Sequence, residues 1–210
     1  AYSSQVGASK IALKLGYEDL KDNYYNFGFS KPISINFPAA AFGLINAKEV
    51  VSERELASLG YGYGFTVSPF QITAAYSVFA NQGIKKDFKL LMNDEVTSQR
   101  VISETSAGHT LEALEQVVKI GTGKKADIKG FSEGGKTGTV HRTISGSGYA
   151  KDLYRASFVG IAPLSNESLT IFVSIEDPGL NSYSGGMIAA PLFAKIAESS
   201  LNYLGFIEDE

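Results

Sequence analysis

The sequence contains no cysteine and only two histidines, and its basic residues do not outnumber its acidic ones. Without cysteine the chain can form neither a disulfide nor a thiolate metal site, and two histidines argue against a histidine-based metal cluster. The formal net charge of -3 argues against nucleic acid as the main partner, because phosphate binding requires an excess of lysine and arginine. The sequence also has no segment typical of a membrane span or a signal peptide. We therefore expect no metal, no cofactor and no nucleic-acid partner.

The composition that remains is ordinary for one globular domain, with 210 residues, 44% of them hydrophobic and 20% charged. The first residue is alanine, and a helical spacing of apolar residues follows almost at once, at Ala8, Ile11, Ala12 and Leu15. We interpret this as a domain whose first part lies outside the chain and would carry any membrane attachment. Residues 17–65 are rich in glycine, proline and aromatics, which predicts a long irregular connection with short strands or turns.

Two helices are predicted in the middle of the chain. Ser68, Pro69 and Gln71 supply an N-cap, a proline at the first helical position and the glutamine of a capping box. Apolar residues then recur at helical spacing until Gly83 ends the helix. A second helix is predicted over residues 106–121, with leucine and valine on one face.

After residue 134 the apolar period changes to two, which is typical of strands. Residues 158–162 and 169–175 alternate on either side of a short turn, so they predict an antiparallel hairpin. The segment around Lys136 is expected to add an edge strand, and residues 186–204 to form a helix that covers one sheet face. The helix residues expected to contact the sheet are Ile188, Leu192, Phe193, Ile196 and Leu201. The predicted fold class is α+β, an antiparallel sheet covered by helices, and the acidic end of the chain is expected to be solvated.

Residues 130–139, GFSEGGKTGT, contain three overlapping catalytic motifs. Residues 130–134 match the G-x-S-x-G of serine hydrolases, and residues 130–137 match the G-x-x-x-x-G-K-T phosphate loop. Residues 136–138 match the K-T-G of penicillin-interacting serine enzymes. Each motif works only in one local geometry, so the flanking sequence decides between them.

The flanks argue against the first two motifs. A phosphate loop needs a buried strand before it and a helix after it, whereas residues 124–129 are polar and a strand pattern follows Thr137. A P-loop NTPase is therefore the least favoured function. The hydrolase motif needs a helix after Ser132, and a turn and a strand follow instead, so Ser132 is interpreted as a loop serine.

The K-T-G motif fits its surroundings. On an edge strand, Lys136 and Thr137 would supply a fixed cation and a hydroxyl to hold a carboxylate. Gly138 would let a ligand approach the backbone and pair with it like an added strand. His141 would share a strand face with Thr137, where it is a candidate to line a cleft. The alternative interpretation is an exposed edge lysine that only discourages strand pairing.

Five motifs, in order along the chain, resemble those of one family. They are residues 3–7 (SSQVG), similar to S-x-N and the helix after it; residues 60–71, similar to G-Y-G followed by T-P-x-Q; residues 80–83 (ANQG), similar to A-N-x-G; residues 135–139, similar to G-K-T-G-T; and residues 183–186 with 190–191, similar to the turn into the last helix. The family is the transpeptidase domain of class B, high-molecular-weight penicillin-binding proteins, in particular the division-type enzymes that cross-link septal peptidoglycan. The resemblance covers nearly the whole chain.

The resemblance implies a penicillin-binding, serine beta-lactamase-like fold and acyl transfer through a serine ester. In the family, the serine of an S-x-x-K motif attacks the penultimate D-Ala of a stem peptide and releases the last D-Ala. The acyl group then passes to an amine on a neighbouring strand of peptidoglycan. Beta-lactams resemble the D-Ala-D-Ala end and acylate the same serine.

Matching positions carry the family's roles to this chain. Ser3 would relay protons between the S-x-x-K lysine and the leaving nitrogen, and Lys136 would tune that network electrostatically. Thr137 would hold the substrate carboxylate, and the backbone N–H of Thr139 would form half of the oxyanion hole. The remaining expected substrate-binding residues are Gln5, Gly138, His141 and Tyr183.

Two features depart from the family pattern. No serine here has a lysine three residues later, so the nucleophile is not in this chain, which alone is expected to be inactive. Gln5 stands where the family has an asparagine that contacts the substrate, and its extra methylene displaces the amide.

The chain is thus predicted to be the C-terminal portion of a single transpeptidase domain, with residues 1–134 mainly helix and loop and residues 135–210 strands and the last helix. Its expected partners are peptidoglycan stem peptides, beta-lactams and membrane proteins of division or elongation. The expected location is the periplasmic side of the bacterial cytoplasmic membrane. Two alternatives stay open: a non-catalytic penicillin-fold module that binds peptidoglycan or a division partner, and a serine beta-lactamase or beta-lactam sensor.

Overall fold

The computed structural model describes residues 1–33, 41–45, 51–144, 148–165, 167–179 and 182–209. The chain divides into two compact units. The helical unit consists of Ser3–Val78 and Gly83–Ser103, and the sheet unit consists of Ala1–Tyr2, Phe79–Gln82 and Glu104–Glu210.

The helical unit is built from helices and one short antiparallel strand pair. Its elements are α1 (Gln5–Leu15), α2 (Tyr17–Asn26), α3 (Glu53–Gly60), most of α4 (Pro69–Ala80), β1 (Ile84–Lys86) and β2 (Ser98–Arg100). Among the described residues, its apolar centre consists of Ala12, Leu20, Leu56 and Leu59.

The prediction of an irregular connection over residues 17–65 was wrong, because α2 and α3 lie within it. Helix α2 buries only Leu20, so it carries almost no apolar periodicity. Helix α3 begins with a full capping box between Ser52 and Glu55, a signal that was present in the sequence. Residues 34–40 and 46–50 of this prediction lie outside the described residues.

Helix α4 begins as its capping signal predicts. The Ser68 hydroxyl accepts a hydrogen bond from the Gln71 backbone N–H (3.2 Å), and the Gln71 side-chain oxygen accepts one from the Ser68 N–H (2.9 Å). Pro69 occupies the first helical position, where its missing N–H costs nothing. The prediction for this helix is confirmed.

The sheet unit carries a three-stranded antiparallel sheet in the order β3-β4-β5. Its elements are α5 (Glu104–Lys119), a short 3-10 helix (Lys124–Ala126), β3 (Gly134–Ile144), β4 (Gly148–Ala162), β5 (Leu169–Glu176) and α6 (Gly185–Leu204). Strand β3 pairs with β4 alone among the described strands, so Lys136 lies on an edge strand. The predicted hairpin and the α+β class are confirmed.

The core of the sheet unit forms between the sheet and α6. The rings of Phe158 on β4 and Phe193 on α6 are fully buried, with centroids 4.9 Å apart. A side chain at Gly160 would overlap the Phe193 ring, so the small residue lets helix and sheet approach closely. The contact prediction is confirmed for Phe193 and Leu201 and wrong for Leu192, which is 40% exposed. It holds in part for Ile188, which is half-buried, and for Ile196, which lies beside Leu169 and Ile171 of β5 but is 40% exposed. Alanines take the place of Leu192 against the sheet: Ala189, Ala190 and Ala197.

Candidate active site

Lys136 and Thr137 lie within β3, which continues to Ile144, and not in a loop before a helix. A phosphate loop therefore does not form here. The Lys136 ammonium is half-buried and donates a hydrogen bond to the backbone carbonyl of Thr137 (2.8 Å). Burial lowers the pKa of Lys136 below its ordinary value of 10.5. The strand thus holds an amine that gives up its proton more readily than a solvated lysine does.

The hydroxyls of Thr137 and Thr139 lie on the opposite strand face from Lys136, because successive side chains alternate. The oxygen of the Thr137 hydroxyl is 2.8 Å from that of Thr122, which follows α5. The Thr139 hydroxyl accepts a hydrogen bond from the Gly185 N–H at the start of α6 (3.0 Å). Both hydroxyls are therefore positioned from outside their own strand.

Glycines at the start of α6 allow this close approach. A side chain at Gly185 would overlap the carbonyl oxygens of Ser157 and Gly138, and one at Gly186 would overlap the carbonyl of Thr122. These neighbours are backbone atoms that cannot move aside easily. At Gly138 the obstacle is only the hydroxyl of Ser157, the cross-strand partner, so crowding from the sheet also accounts for this glycine.

An aromatic stack extends the same strand face. His141 pairs across the strands with Tyr154, and their ring centroids are 4.5 Å apart. Tyr154 in turn stacks on Tyr183, 4.2 Å away at an interplanar angle of 18°. The backbone N–H of Asp177 donates to the carbonyl of Tyr154 (2.8 Å), which fixes the middle residue. Sequence reasoning selected His141 and Tyr183 but missed Tyr154, although aligning the predicted strands would have placed it opposite His141.

A buried carboxyl lies immediately before the strand. Glu133 is 6% exposed and accepts a hydrogen bond from the Ile128 N–H (3.2 Å). Burial raises the pKa of Glu133 to about 7 from an ordinary value of 4.5, opposed by that hydrogen bond and assisted by the Asp127 and Glu115 carboxylates. Glu133 therefore titrates near neutral pH, which sequence reasoning did not predict.

The turn before Glu133 is held by the end of the chain. The Asp209 N–H donates to the Gly130 carbonyl (2.7 Å), and the Asp209 carboxylate accepts from the Ser132 N–H (2.5 Å). The Ser132 hydroxyl accepts from the Leu164 N–H (3.1 Å), so this serine acts as a loop residue, as predicted. Asp209 is exposed, in agreement with the predicted solvated tail, but its long-range contact with residues 130 and 132 leaves no local signal in the sequence.

Ser3 and Gln5 belong to the helical unit. Ser3 has a φ of 54°, a left-handed conformation that is rare for residues other than glycine. Ser4 is the N-cap of α1, and its hydroxyl accepts from the Gly7 N–H (3.1 Å), while Gln5 is the exposed first residue of the helix. The sheet unit alone brings together the other predicted site residues: Lys136, Thr137, Gly138, Thr139, His141 and Tyr183.

Within the described ranges, no group of three or more histidine, aspartate or glutamate side chains is arranged to bind a metal ion. None of the described helices has the length and apolar character that crossing a bilayer would require.

A protein-family model described as the penicillin binding protein transpeptidase domain matches residues 1–198. This chain belongs to the penicillin-binding transpeptidase family. It is 35% identical over 209 residues to the probable peptidoglycan D,D-transpeptidase PbpC of Pseudomonas aeruginosa, covering 99% of this chain and 37% of that protein. It is 32% identical to the probable peptidoglycan D,D-transpeptidase PenA of Neisseria gonorrhoeae, covering 97% of this chain and 35% of that protein. The chain thus spans a little over a third of the length of these relatives.

Solved structures confirm the fold. The transpeptidase domain of penicillin-binding protein 3 from Burkholderia pseudomallei superposes with a TM-score of 0.90 at 33% identity, covering 99% of this chain and 63% of that one. Penicillin-binding protein 3 from Mycobacterium tuberculosis, in complex with aztreonam, superposes with a TM-score of 0.85 at 26% identity, covering 100% of this chain and 51% of that one. The penicillin-binding fold expected from the motifs is therefore confirmed, for a chain that spans part of it.

Proposed function

We propose that the chain is the C-terminal part of one transpeptidase domain, and that the complete protein is a penicillin-binding peptidoglycan D,D-transpeptidase. It would cross-link D-Ala-D-Ala stem peptides in septal cell-wall synthesis by serine acyl transfer. The observation that carries this proposal is the edge strand β3, where a half-buried Lys136 and two positioned threonine hydroxyls occupy the K-T-G-T positions. The family membership and the names of the relatives support the reaction class.

The reaction would begin with a serine that the 210 residues do not contain. This S-x-x-K serine attacks the penultimate D-Ala carbonyl, an ester forms, and the C–N bond to the last D-Ala breaks. Ser3 relays the proton from the lysine of that motif to the leaving nitrogen. An amine of a second stem peptide then attacks the ester and releases the serine.

Lys136 would act on this network through its charge and its weakened hold on the proton. An amine whose pKa is lowered by burial exchanges protons with neighbouring groups at less cost than a solvated lysine. The Thr137 hydroxyl would donate to the terminal carboxylate of the substrate, and the backbone N–H of Thr139 would donate to the developing oxyanion. Removing one such oxyanion donor costs on the order of a hundredfold in rate or more in other enzymes.

The rest of the proposed binding surface is less polar. Gly138 leaves the strand edge accessible to an extended stem peptide, which would pair with β3 as an added strand. His141 and Tyr183, with Tyr154 between them, would offer an aromatic wall beside the threonine hydroxyls. Gln5 would reach toward the substrate with a longer side chain than the asparagine of the family.

The proposed location is the periplasmic side of the cytoplasmic membrane, with attachment through residues outside this chain. The stem peptides and beta-lactams would be the small partners, and membrane proteins of division or elongation the large ones. These assignments rest on the resemblance to the family.

Labelling with a fluorescent penicillin tests the proposal. The complete protein should become covalently labelled and release the label slowly. Lys136→Ala should largely abolish labelling, because the strand then lacks the cation that the acylation step uses. Lys125→Ala, an exposed lysine outside the site, is the matched control and should label at the parental rate. Parental labelling of a folded Lys136→Ala protein would contradict the role of Lys136.

A non-catalytic penicillin-fold module is the second candidate, and Gln5, which stands where the family has an asparagine, favours it. It would bind peptidoglycan or a division partner without chemistry. A folded complete protein that never labels would support this candidate and reject the transpeptidase. A serine beta-lactamase or sensor would label too, and the deacylation rate separates them, since a beta-lactamase releases the label rapidly.

A further inference from the structure

Thr122 contributes a hydroxyl to the proposed site that neither the K-T-G-T motif nor any other motif of the sequence includes. Its oxygen is 2.8 Å from the Thr137 hydroxyl oxygen, the usual separation of an O–H···O hydrogen bond. Fifteen residues separate the two threonines in the sequence. The contact therefore depends on how the turn after α5 meets strand β3.

The backbone around Thr122 is held on several sides. Its N–H donates to the Ala1 carbonyl (3.3 Å), and the next N–H, that of Gly123, donates to the Val117 carbonyl (2.9 Å). On the other side, the Thr122 carbonyl fills the space that a side chain at Gly186 would need. The position of the hydroxyl is thus set by the fold of the sheet unit.

The number of protons on each hydroxyl decides which of the two threonines is the donor. A threonine hydroxyl has one proton to donate and two lone pairs to accept with. If Thr137 donates its proton to a carboxylate, it can only accept from Thr122, so Thr122 must be the donor. Thr139 has the same arrangement, because its oxygen accepts from the Gly185 N–H and its own proton remains available.

We propose that Thr122 is a positioning residue that donates to Thr137 and so directs the Thr137 proton toward the carboxylate of the substrate. Donation to an oxygen also polarises its O–H bond and strengthens the next hydrogen bond in the chain. Thr122 therefore raises the selectivity of the site for ligands that carry a free carboxylate. This inference rests on the proposed function.

The test compares a penicillin free acid with its methyl ester on the complete protein, measuring second-order acylation rates by competition with fluorescent penicillin. Thr122→Val should lower the rate for the acid by roughly fivefold, in line with loss of one hydrogen bond to a charged-ligand site, and leave the ester rate nearly unchanged. Thr122→Ser keeps the hydroxyl and should retain the parental preference. Thr110→Val, which removes a hydroxyl bonded only within α5, is the control and should also retain it.

A double-mutant cycle isolates the path of the effect. Thr122→Val should change nothing further in a Thr137→Val background, because Thr122 acts only through Thr137. Thr122→Ala, which cannot overfill the site, replaces the valine variant if that variant melts at a lower temperature than the parent. An unchanged acid-to-ester ratio in the folded variant, or equal loss for acid and ester, overturns the inference. No labelling of the parent would instead overturn the proposed function, and the inference with it.

Discussion

Each of the two units of the chain is stabilised internally in its own way. In the sheet unit, twelve buried apolar residues form one cluster around Phe158 and Phe193, among the residues that the structure describes. In the described part of the helical unit, the apolar cluster has four buried members, and a buried amide joins three segments. That amide belongs to Gln71, which is 2% exposed.

Gln71 uses all of its side-chain hydrogen-bonding atoms. Its oxygen accepts from the N–H groups of Gly43 and Ser68, at 2.8 and 2.9 Å, and its nitrogen donates to the carbonyls of Gly28 and Lys31, each at 3.2 Å. Apolar burial is non-directional and tolerates exchange of one hydrophobic residue for another, whereas four hydrogen bonds require one particular side chain. The stability of the helical unit should therefore be more sensitive to replacement of a buried polar residue. The stability of the sheet unit should be more sensitive to changes in side-chain volume.

The largest expected effect is in the sheet unit. Phe193→Ala should lower the free energy of unfolding by about 3–5 kcal/mol, because it opens a cavity beside Phe158 in a fully buried site. Leu192→Ala, at the neighbouring 40% exposed position, is the matched control and should cost far less. Urea denaturation followed by circular dichroism measures both, and equal losses would contradict the described packing of α6.

A change at the polar centre of the helical unit should come next. Gln71→Leu has nearly the same volume but leaves two buried N–H groups and two carbonyls without their partner, so we expect a loss of about 2–4 kcal/mol. Hydrogen exchange at the Gly43 and Ser68 amides should accelerate. Gln99→Leu on exposed β2 is the control, and comparable exchange in both variants would argue against Gln71 as the joining residue.

The smallest predicted effect concerns a buried carboxyl group in the sheet unit. The pKa of Glu133 is raised on folding, so its contribution to stability is greatest below pH 4.5 and is lost as pH rises through about 7. The facing charged groups are Asp127, Glu115 and Lys119. Raising the pH from 5 to 8 should cost about 1 kcal/mol, below the full linkage value because solvent and Lys119 screen the charge.

Glu133→Gln should flatten that pH dependence, since the amide cannot ionise. Thermal melts at pH 5 and pH 8 provide the measurement, with Glu112→Gln at an exposed position of α5 as the control that keeps the parental slope. A parental slope in Glu133→Gln would mean that another group titrates in this range.

The parts of the fold that could be predicted from sequence are those with local signals. The strands of the sheet unit and helix α4 carry local signals, alternation and a capping box, that do not depend on distant residues. Helix α2 buries a single leucine, so its formation depends on contacts within the unit that a sequence pattern does not contain. The face of α6 was misjudged because large apolar residues were favoured over alanines, which allow a closer approach.

The candidate site divides along the same line. Lys136, Thr137 and Thr139 could be proposed from the sequence because they belong to one contiguous motif. Thr122 and Tyr154 could not, because they reach the strand face of Thr137 through a turn and through cross-strand pairing. Neither residue lies in a motif, so only three-dimensional proximity identifies them.

The contact of Asp209 with Gly130 and Ser132 has a practical consequence for experiments on living cells. We expect a fluorescent protein inserted directly beside Asp209 to disturb these hydrogen bonds, which hold the turn that leads into β3. A flexible spacer, or attachment at another position, would leave that turn undisturbed.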